Sequence, residues 1–134
     1  MKTLFNHLFY RVYWWNRNVL KEKDSLLYST IIGISVFHAL NYCTIIFAFF
    51  LYVIKDPLAY PKWAHIIMIV LIPLINYTIY WPKGYYKFVI SEASNQPKDT
   101  LIKRDYILIA YIIITISSFI YMIVEGREFL GVTN

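Results

Sequence analysis

The sequence predicts an all-α integral membrane protein with three transmembrane helices, preceded by an N-terminal amphipathic helix at the membrane interface. Residues 25–54, 63–82 and 106–124 contain no Asp, Glu, Lys or Arg, so all 13 basic and 8 acidic side chains lie elsewhere in the 134 residues. Each run supplies the about 20 apolar residues that a helix needs to cross a bilayer core of about 30 Å. The runs are continuous, whereas strands of a membrane barrel alternate in polarity, so helices are expected.

This distribution of charge excludes several classes of protein. The chain is 59% hydrophobic and 16% charged, against about 45–50% and about 25% in an ordinary soluble domain. A disordered chain is excluded on the same ground. The only cysteine, Cys43, lies inside the first run, so no internal disulfide and no cysteine metal cluster are expected. The basic residues flank the apolar runs, so the net charge of +5 favours lipid headgroups over nucleic acid.

Residues 1–24 are predicted to form the amphipathic helix, which lies in the plane of the membrane interface. The apolar side chains that share one face are Leu4, Phe5, Leu8, Phe9, Val12, Trp15 and Val19. The polar side chains of the opposite face are Asn6, Arg11, Arg17, Asn18 and Lys21. Cations opposite an apolar, aromatic face are typical of interfacial helices. The alternative is a helix that packs along the protein's own cytoplasmic loop.

The three transmembrane helices are predicted over residues 26–54, 63–81 and 101–124 of a single membrane domain. The first charge-free run is longer than the bilayer core requires, so tilt or interfacial residence must absorb the excess. Pro73 is expected to kink the second helix, since it removes one backbone hydrogen bond. Gly126 is expected to end the third helix. The polar loop between the second and third helices can itself contain a short helix over residues 85–94.

The orientation follows from the Lys and Arg residues near the helix ends. Five lie in residues 1–24, two in 55–62, five in 82–105 and one in the tail. Because cytoplasmic loops are enriched in Lys and Arg, the N-terminus and the long loop are predicted to face the cytoplasm of a bacterium, with the C-terminus outside its inner membrane. The tryptophans predicted to anchor helices in the headgroup layer are Trp14, Trp15, Trp63 and Trp81.

Few polar side chains lie inside the predicted spans. Those predicted to form contacts between helices are His38, Asn41, Asn76 and Thr115. The alternative is a polar patch that lines a site or a pore. The spans carry no charged group, which argues against ion-coupled transport. His38 and His65 differ in depth by roughly 20 Å at 1.5 Å per residue, so they cannot share a haem iron, and no cofactor or metal is expected.

Several features of the sequence are similar to short membrane proteins that are common in Bacteroidota. The residues that carry the resemblance are 9–16 (FYRVYWWN), the charged turn 21–24, Asn41, Asn76-Tyr77 and 85–88 (YYKF). The resemblance covers most of the chain and implies a layout of three membrane helices. These proteins have no assigned activity, so the resemblance implies no site. Trp15 and Pro82 depart from the usual layout.

Two functional hypotheses follow. The first is a small non-enzymatic accessory or assembly subunit that docks on a larger inner-membrane complex through its helices. Its partners would be the lipid bilayer and other membrane subunits or a second copy of the chain. The alternative is a self-assembling pore or membrane-disrupting effector. It is suggested by the amphipathic N-terminus, by the similar depth of the polar side chains inside the spans, and by small residues four apart, Ser29 and Gly33, and Ser35 and Ala39. An enzyme or carrier acting on lipid would need catalytic groups clustered at one interface, and none is evident.

Overall fold

The computed structural model describes residues 2–59 and 62–131, and this part of the chain consists of helices and turns without a strand. The α-helices are α1 (Lys2–Asn18), α2 (Leu26–Ala48), α3 (Lys62–Tyr80), α4 (Tyr85–Ser94) and α5 (Lys98–Phe129). A π-helical segment, Phe49–Ile54, continues α2, and short 3-10 turns occupy Pro57–Ala59 and Pro82–Gly84. The prediction of an all-helical fold is confirmed.

Two helices are long and apolar enough to cross a membrane. They are the continuous segment Leu26–Ile54, of 29 residues, and Lys98–Phe129, of 32 residues. The segments Ile66–Tyr80 and Pro82–Ser94 pass the same test together but are bent by 57° at the break between them. The described chain therefore has two candidate spans, or three if the bent pair is one span. Only 17% of the most apolar window of each of the first two is buried inside the protein, so most of their apolar surface is available to lipid or to a partner.

Helix α2 is central, and α3 and α5 pack on it in opposite directions. Tyr28, near the start of α2, lies beside Trp81 just after α3, whereas Ser35 farther along α2 bonds Asn76 of α3. Helix α3 therefore runs antiparallel to α2. Asn41 instead bonds Thr115 of α5, and the later Phe47 of α2 packs at Gly126. Helices α2 and α5 therefore run parallel, as expected of the first and third spans of a three-span protein.

Helix α1 folds back along the first half of α2. Near its end, the Asn16 side chain donates a hydrogen bond to Ser29, and near its start the Phe5 ring meets His38. Helix α1 also contacts α4 and α5. Leu8 and Phe9 are 2% and 0% exposed. The helix thus packs on the protein itself, including α4 of the long loop, and its position in the membrane interface stays a prediction.

The buried face of α1 is rotated from the apolar face seen in the sequence. His7 and Asn16 are buried, whereas Trp15 is 55% exposed. The reason is that other helices offer polar partners: Asp105 of α5 for His7, and hydroxyls of α2 for Asn16. The main buried cluster lies where α1 meets the other helices and comprises Leu8, Phe9, Ile31, Ile34, Tyr80, Val89 and Leu108.

The expectation that Gly126 ends the last helix is wrong. Gly126 is buried inside α5, and a Cβ there would lie 2.6 Å from Cε1 and Cζ of Phe47. The glycine thus makes room for an aromatic ring. This role depends on another helix, so the rule that a glycine often ends a helix does not predict it. The helix ends at Phe129, and Gly131 follows with a left-handed φ of 68°, the conformation that glycine adopts most readily after a helix.

Candidate functional site

A hydrogen-bonded set of polar side chains joins α2 to α3. The Asn76 side chain, which is buried, has its Nδ2 at 2.8 Å from Ser35 Oγ and at 3.1 Å from His38 Nδ1. Because the amide nitrogen only donates, His38 Nδ1 accepts and its proton is on Nε2. The Ser35 hydroxyl donates its own hydrogen bond to the carbonyl oxygen of Ile31, at 2.6 Å. The set therefore satisfies the amide nitrogen of Asn76, which lipid cannot satisfy, whereas His38 Nε2 is buried without a hydrogen-bond partner among the described residues.

A second set joins α2 to α5. Asn41 Nδ2 donates to the Tyr111 hydroxyl at 2.5 Å, and Asn41 Oδ1 accepts from Thr115 Oγ1 at 3.0 Å. Thr115 is buried. The amide nitrogen and the amide oxygen of Asn41 are therefore both hydrogen-bonded to α5, which defines the register of α5 against α2.

The structure divides the four predicted polar residues between these two sets. His38 and Asn76 meet in the first, and Asn41 and Thr115 meet in the second. The Phe5 ring of α1 contacts both, since its centroid lies 4.9 Å from that of His38 and 6.3 Å from that of Tyr111. These contacts hold helices together, and their chemistry is that of neutral donors and acceptors.

The four predicted tryptophan anchors are all substantially exposed. Their exposed fractions are 43% for Trp14, 55% for Trp15, 63% for Trp63 and 46% for Trp81. Trp81 stacks on Tyr77, with centroids 5.2 Å apart. Trp63 lies at the other end of α3, a separation that matches two interfacial belts. Their contact with headgroups stays a prediction.

A cluster that the sequence did not indicate joins α1 to α5. Asp105 Oδ1 lies 2.8 Å from His7 Nε2 and 2.6 Å from Arg11 Nε, and the second Asp105 oxygen pairs with the Arg11 guanidinium. The His7 side chain is only 1% exposed, whereas the side chains of Arg11 and Asp105 are about one third exposed, at 32% and 31%. A guanidinium that binds both oxygens of a carboxylate is among the stronger ion-pair geometries.

Burial lowers the pKa of His7 below its ordinary value. Asp105 opposes this shift by its hydrogen bond and its charge, while Arg11 and Arg104 add to it. The neutral imidazole is therefore favoured at neutral pH, with Nε2–H donating to Asp105. In that tautomer Nδ1 is an acceptor, and it is buried with no hydrogen-bond partner in the part of the chain that the structure describes.

Two cavities adjoin this cluster. The first has a volume of about 250 Å³, and the polar residues in its lining are Thr3, Asn6, His7, Tyr85, Glu92, Gln96 and Arg104. The second has about 260 Å³ and is lined by Thr3, Leu4, His7, Arg104 and Ile107. The three residues that they share, Thr3, His7 and Arg104, place the cavities side by side. Together they make the candidate site.

Sequence reasoning missed this site because its parts are distant in the chain. His7 and Asp105 are 98 residues apart, and neither belongs to a motif. One signal was present: Arg104 and Asp105 are the last charged residues before the charge-free run 106–124. His7 and Arg11 are also four apart, which places them on one face of α1.

Among residues 2–59 and 62–131, no three His, Cys, Asp or Glu side chains are grouped so that they could hold a metal ion. The chain matches no protein-family model, and neither a curated protein nor a solved structure is significantly similar to it.

Proposed function

We propose that the protein is a non-enzymatic accessory or assembly subunit of a larger inner-membrane complex. The observation that carries this proposal is an open groove of about 450 Å³ in the wall formed by α2 and α5, lined by Thr44, Ser117, Ser118, Tyr121 and Met122. Small hydroxyl residues let a neighbouring helix approach closely and can bond across the contact. Lipid tails supply neither benefit, so the groove suits a transmembrane helix of another subunit.

The orientation that we propose has the N-terminus and α4 in the cytoplasm and the C-terminus outside. The flanking Lys and Arg counts of five, two, five and one support it. The parallel course of α2 and α5 and the antiparallel course of α3 agree with three crossings. In this orientation, the exposed Trp14 and Trp15 of α1 would lie at the cytoplasmic headgroup layer. The layout is also that of the small three-helix proteins of Bacteroidota, a membership that we propose on the same residues.

Site-specific photo-crosslinking in native membranes tests the docking groove. A photoreactive residue at Ser117 should form adducts with another membrane protein, whereas one at Ile109, an exposed position of α5 outside the groove lining, should react mainly with lipid. Mass spectrometry of the adducts identifies the partner. Lipid adducts alone at both positions would contradict the proposal.

The second candidate function is a self-assembling pore or membrane-disrupting effector. It is favoured by the same groove, because a second copy of the chain could fill it and bring the hydroxyls of neighbouring copies together. In that case Ser117 should crosslink to the protein itself, and expression should collapse the membrane potential. Harmless overexpression would contradict this candidate.

A further inference from the structure

The two cavities beside His7 differ in chemistry but share a wall. The first has Asn6, Glu92 and Gln96 in its lining, whereas the second has Leu4 and Ile107. Ile107 is exposed and is the second residue of the charge-free run 106–124. The polar cavity therefore adjoins an apolar one at the point where α5 passes from charged to lipid-compatible sequence. Such a pair of cavities suits a ligand that has a polar and an apolar part.

The polar cavity is rich in acceptors that need a donor. His7 Nδ1 and Gln96 Oε1 are buried and have no hydrogen-bond partner among the described residues. Neutral His7 already donates its proton to Asp105, so Nδ1 can only accept. Glu92 adds a carboxylate to the same lining. Because native proteins rarely leave buried polar atoms unpaired, these acceptors indicate a donor-rich cation such as a primary ammonium.

Arg104 supplies the opposite chemistry on the wall that the cavities share. Its guanidinium presents several N–H donors in a planar fork that matches a phosphate. The ligand therefore has an anionic group between its cationic end and its apolar end. The polar cavity, at about 250 Å³, is smaller than the roughly 300–1,000 Å³ of pockets that enclose drug-sized ligands, so it suits a headgroup.

We propose that this site binds a phospholipid with a phosphoethanolamine headgroup. The ammonium contacts Glu92, Gln96 and His7, and the phosphate contacts Arg104. An acyl chain leaves along Leu4 and Ile107 towards the membrane. The shared chemistry is phosphoethanolamine, and the apolar cavity selects the lipid over the free compound.

The test uses the full chain in lipid nanodiscs, transferred to detergent for native mass spectrometry. Phosphatidylethanolamine should be retained at least about five-fold more than phosphatidylcholine, whose methylated ammonium cannot donate hydrogen bonds, and more than phosphatidylglycerol, which has no ammonium. Free phosphoethanolamine should bind more weakly than the lipid. Equal retention of phosphatidylcholine would overturn the proposal. Equal binding of free phosphoethanolamine would show that the ligand is the free compound and not the lipid.

Two pairs of variants locate the site. Glu92→Gln should reduce the preference for phosphatidylethanolamine over phosphatidylcholine by at least about five-fold, because it removes a charge-assisted contact to the ammonium. Arg104→Gln should reduce the retention of all three lipids by at least about five-fold, because it removes a charge-assisted contact to the phosphate that they share. The matched controls are Lys103→Gln and Asp99→Asn, which change exposed charges outside both cavities and should change retention and preference by less than about two-fold. Glu92 is itself exposed, so Glu92→Gln decides the matter even if Arg104→Gln fails to fold. An unchanged preference in Glu92→Gln would overturn the assignment.

Discussion

His7 Nε2 lies 2.8 Å from Asp105 Oδ1, although the two residues are 98 positions apart in the sequence. This contact fastens the first helix to the start of the last one. Because Asp105 also pairs with Arg11, one carboxylate receives two side chains from successive turns of α1. The stability of α1 therefore depends on a residue near the start of α5, the last helix.

Acidification should weaken this attachment. The pKa of His7 is lowered by burial from its ordinary 6.5, so between pH 6.5 and that lower pKa the unfolded chain carries a proton that the folded chain does not. The unfolded state is therefore favoured as the pH falls through this window. The groups that face the imidazole are Asp105, which opposes the shift, and Arg11 and Arg104, which increase it. Thermal unfolding in detergent between pH 8 and 5 should show a loss of Tm below about pH 6.5.

The control for this prediction is His7→Gln, which keeps an N–H donor for Asp105 but does not titrate. The difference between the Tm of the wild type and that of the variant should shrink as the pH falls. A parallel pair of Tm curves across the whole range would show that His7 does not cause the dependence.

Substitution of Asn41 by Leu should loosen the contact between α2 and α5. The change removes both hydrogen bonds and leaves Tyr111 and Thr115 without them. We expect a loss of about 1–2 kcal/mol in the free energy of unfolding, measured by titration with a denaturing detergent. When Asn41→Leu is combined with Thr115→Val, the coupling energy between the two substitutions should be about 0.6–1.7 kcal/mol. Thr78→Val is the control, since its exposed hydroxyl donates only to the carbonyl of Ile75, and no coupling to Thr115 is expected.

Gly126→Ala should destabilise the far end of the same helix pair. The added methyl group would lie 2.6 Å from two ring carbons of Phe47, which is closer than carbon atoms pack. We expect a loss of about 1–3 kcal/mol, and Phe47→Leu in the same chain should recover part of it by removing the ring atoms. If Gly126→Ala unfolds like the wild type, the two helices do not approach as closely as described.

Phe9→Ala distinguishes a helix packed on the protein from one that only lies on the membrane. Phe9 is 0% exposed and stacks on Tyr80 with centroids 4.2 Å apart. Its truncation should destabilise the fold by about 3–5 kcal/mol and increase hydrogen exchange along α1. Trp15→Ala, which removes a 55% exposed ring, should change stability by less than about 0.5 kcal/mol in detergent. Equal effects of the two variants would contradict the packing of α1.

The elements predictable from the sequence are those that depend on local composition. The runs without charged residues predict the apolar helices. Because side-chain amides are rare inside these runs, Asn41 and Asn76 stand out as candidates for contacts between helices. The buried face of α1 was not predictable in the same way, because Asn16 and His7 are buried only where partners from α2 and α5 meet them. The end of α5 is not predictable for a similar reason. Gly126 is required by close packing against the Phe47 ring, which belongs to another helix. The periodicity of apolar residues predicts which side chains of a helix avoid water. Whether a polar side chain can be buried depends on a hydrogen-bond partner that is distant in the sequence.

The attachment of α1 has a consequence for the order of events during synthesis. Helix α1 leaves the ribosome before the other helices of this domain, and its ion-pair partner Asp105 follows 98 residues after His7. At translation rates of about 5–20 residues per second, that delay is roughly 5–20 s. During this interval Leu8 and Phe9 lack Leu108, a member of the buried cluster that they join, so α1 cannot complete its packing until the last helix has been made.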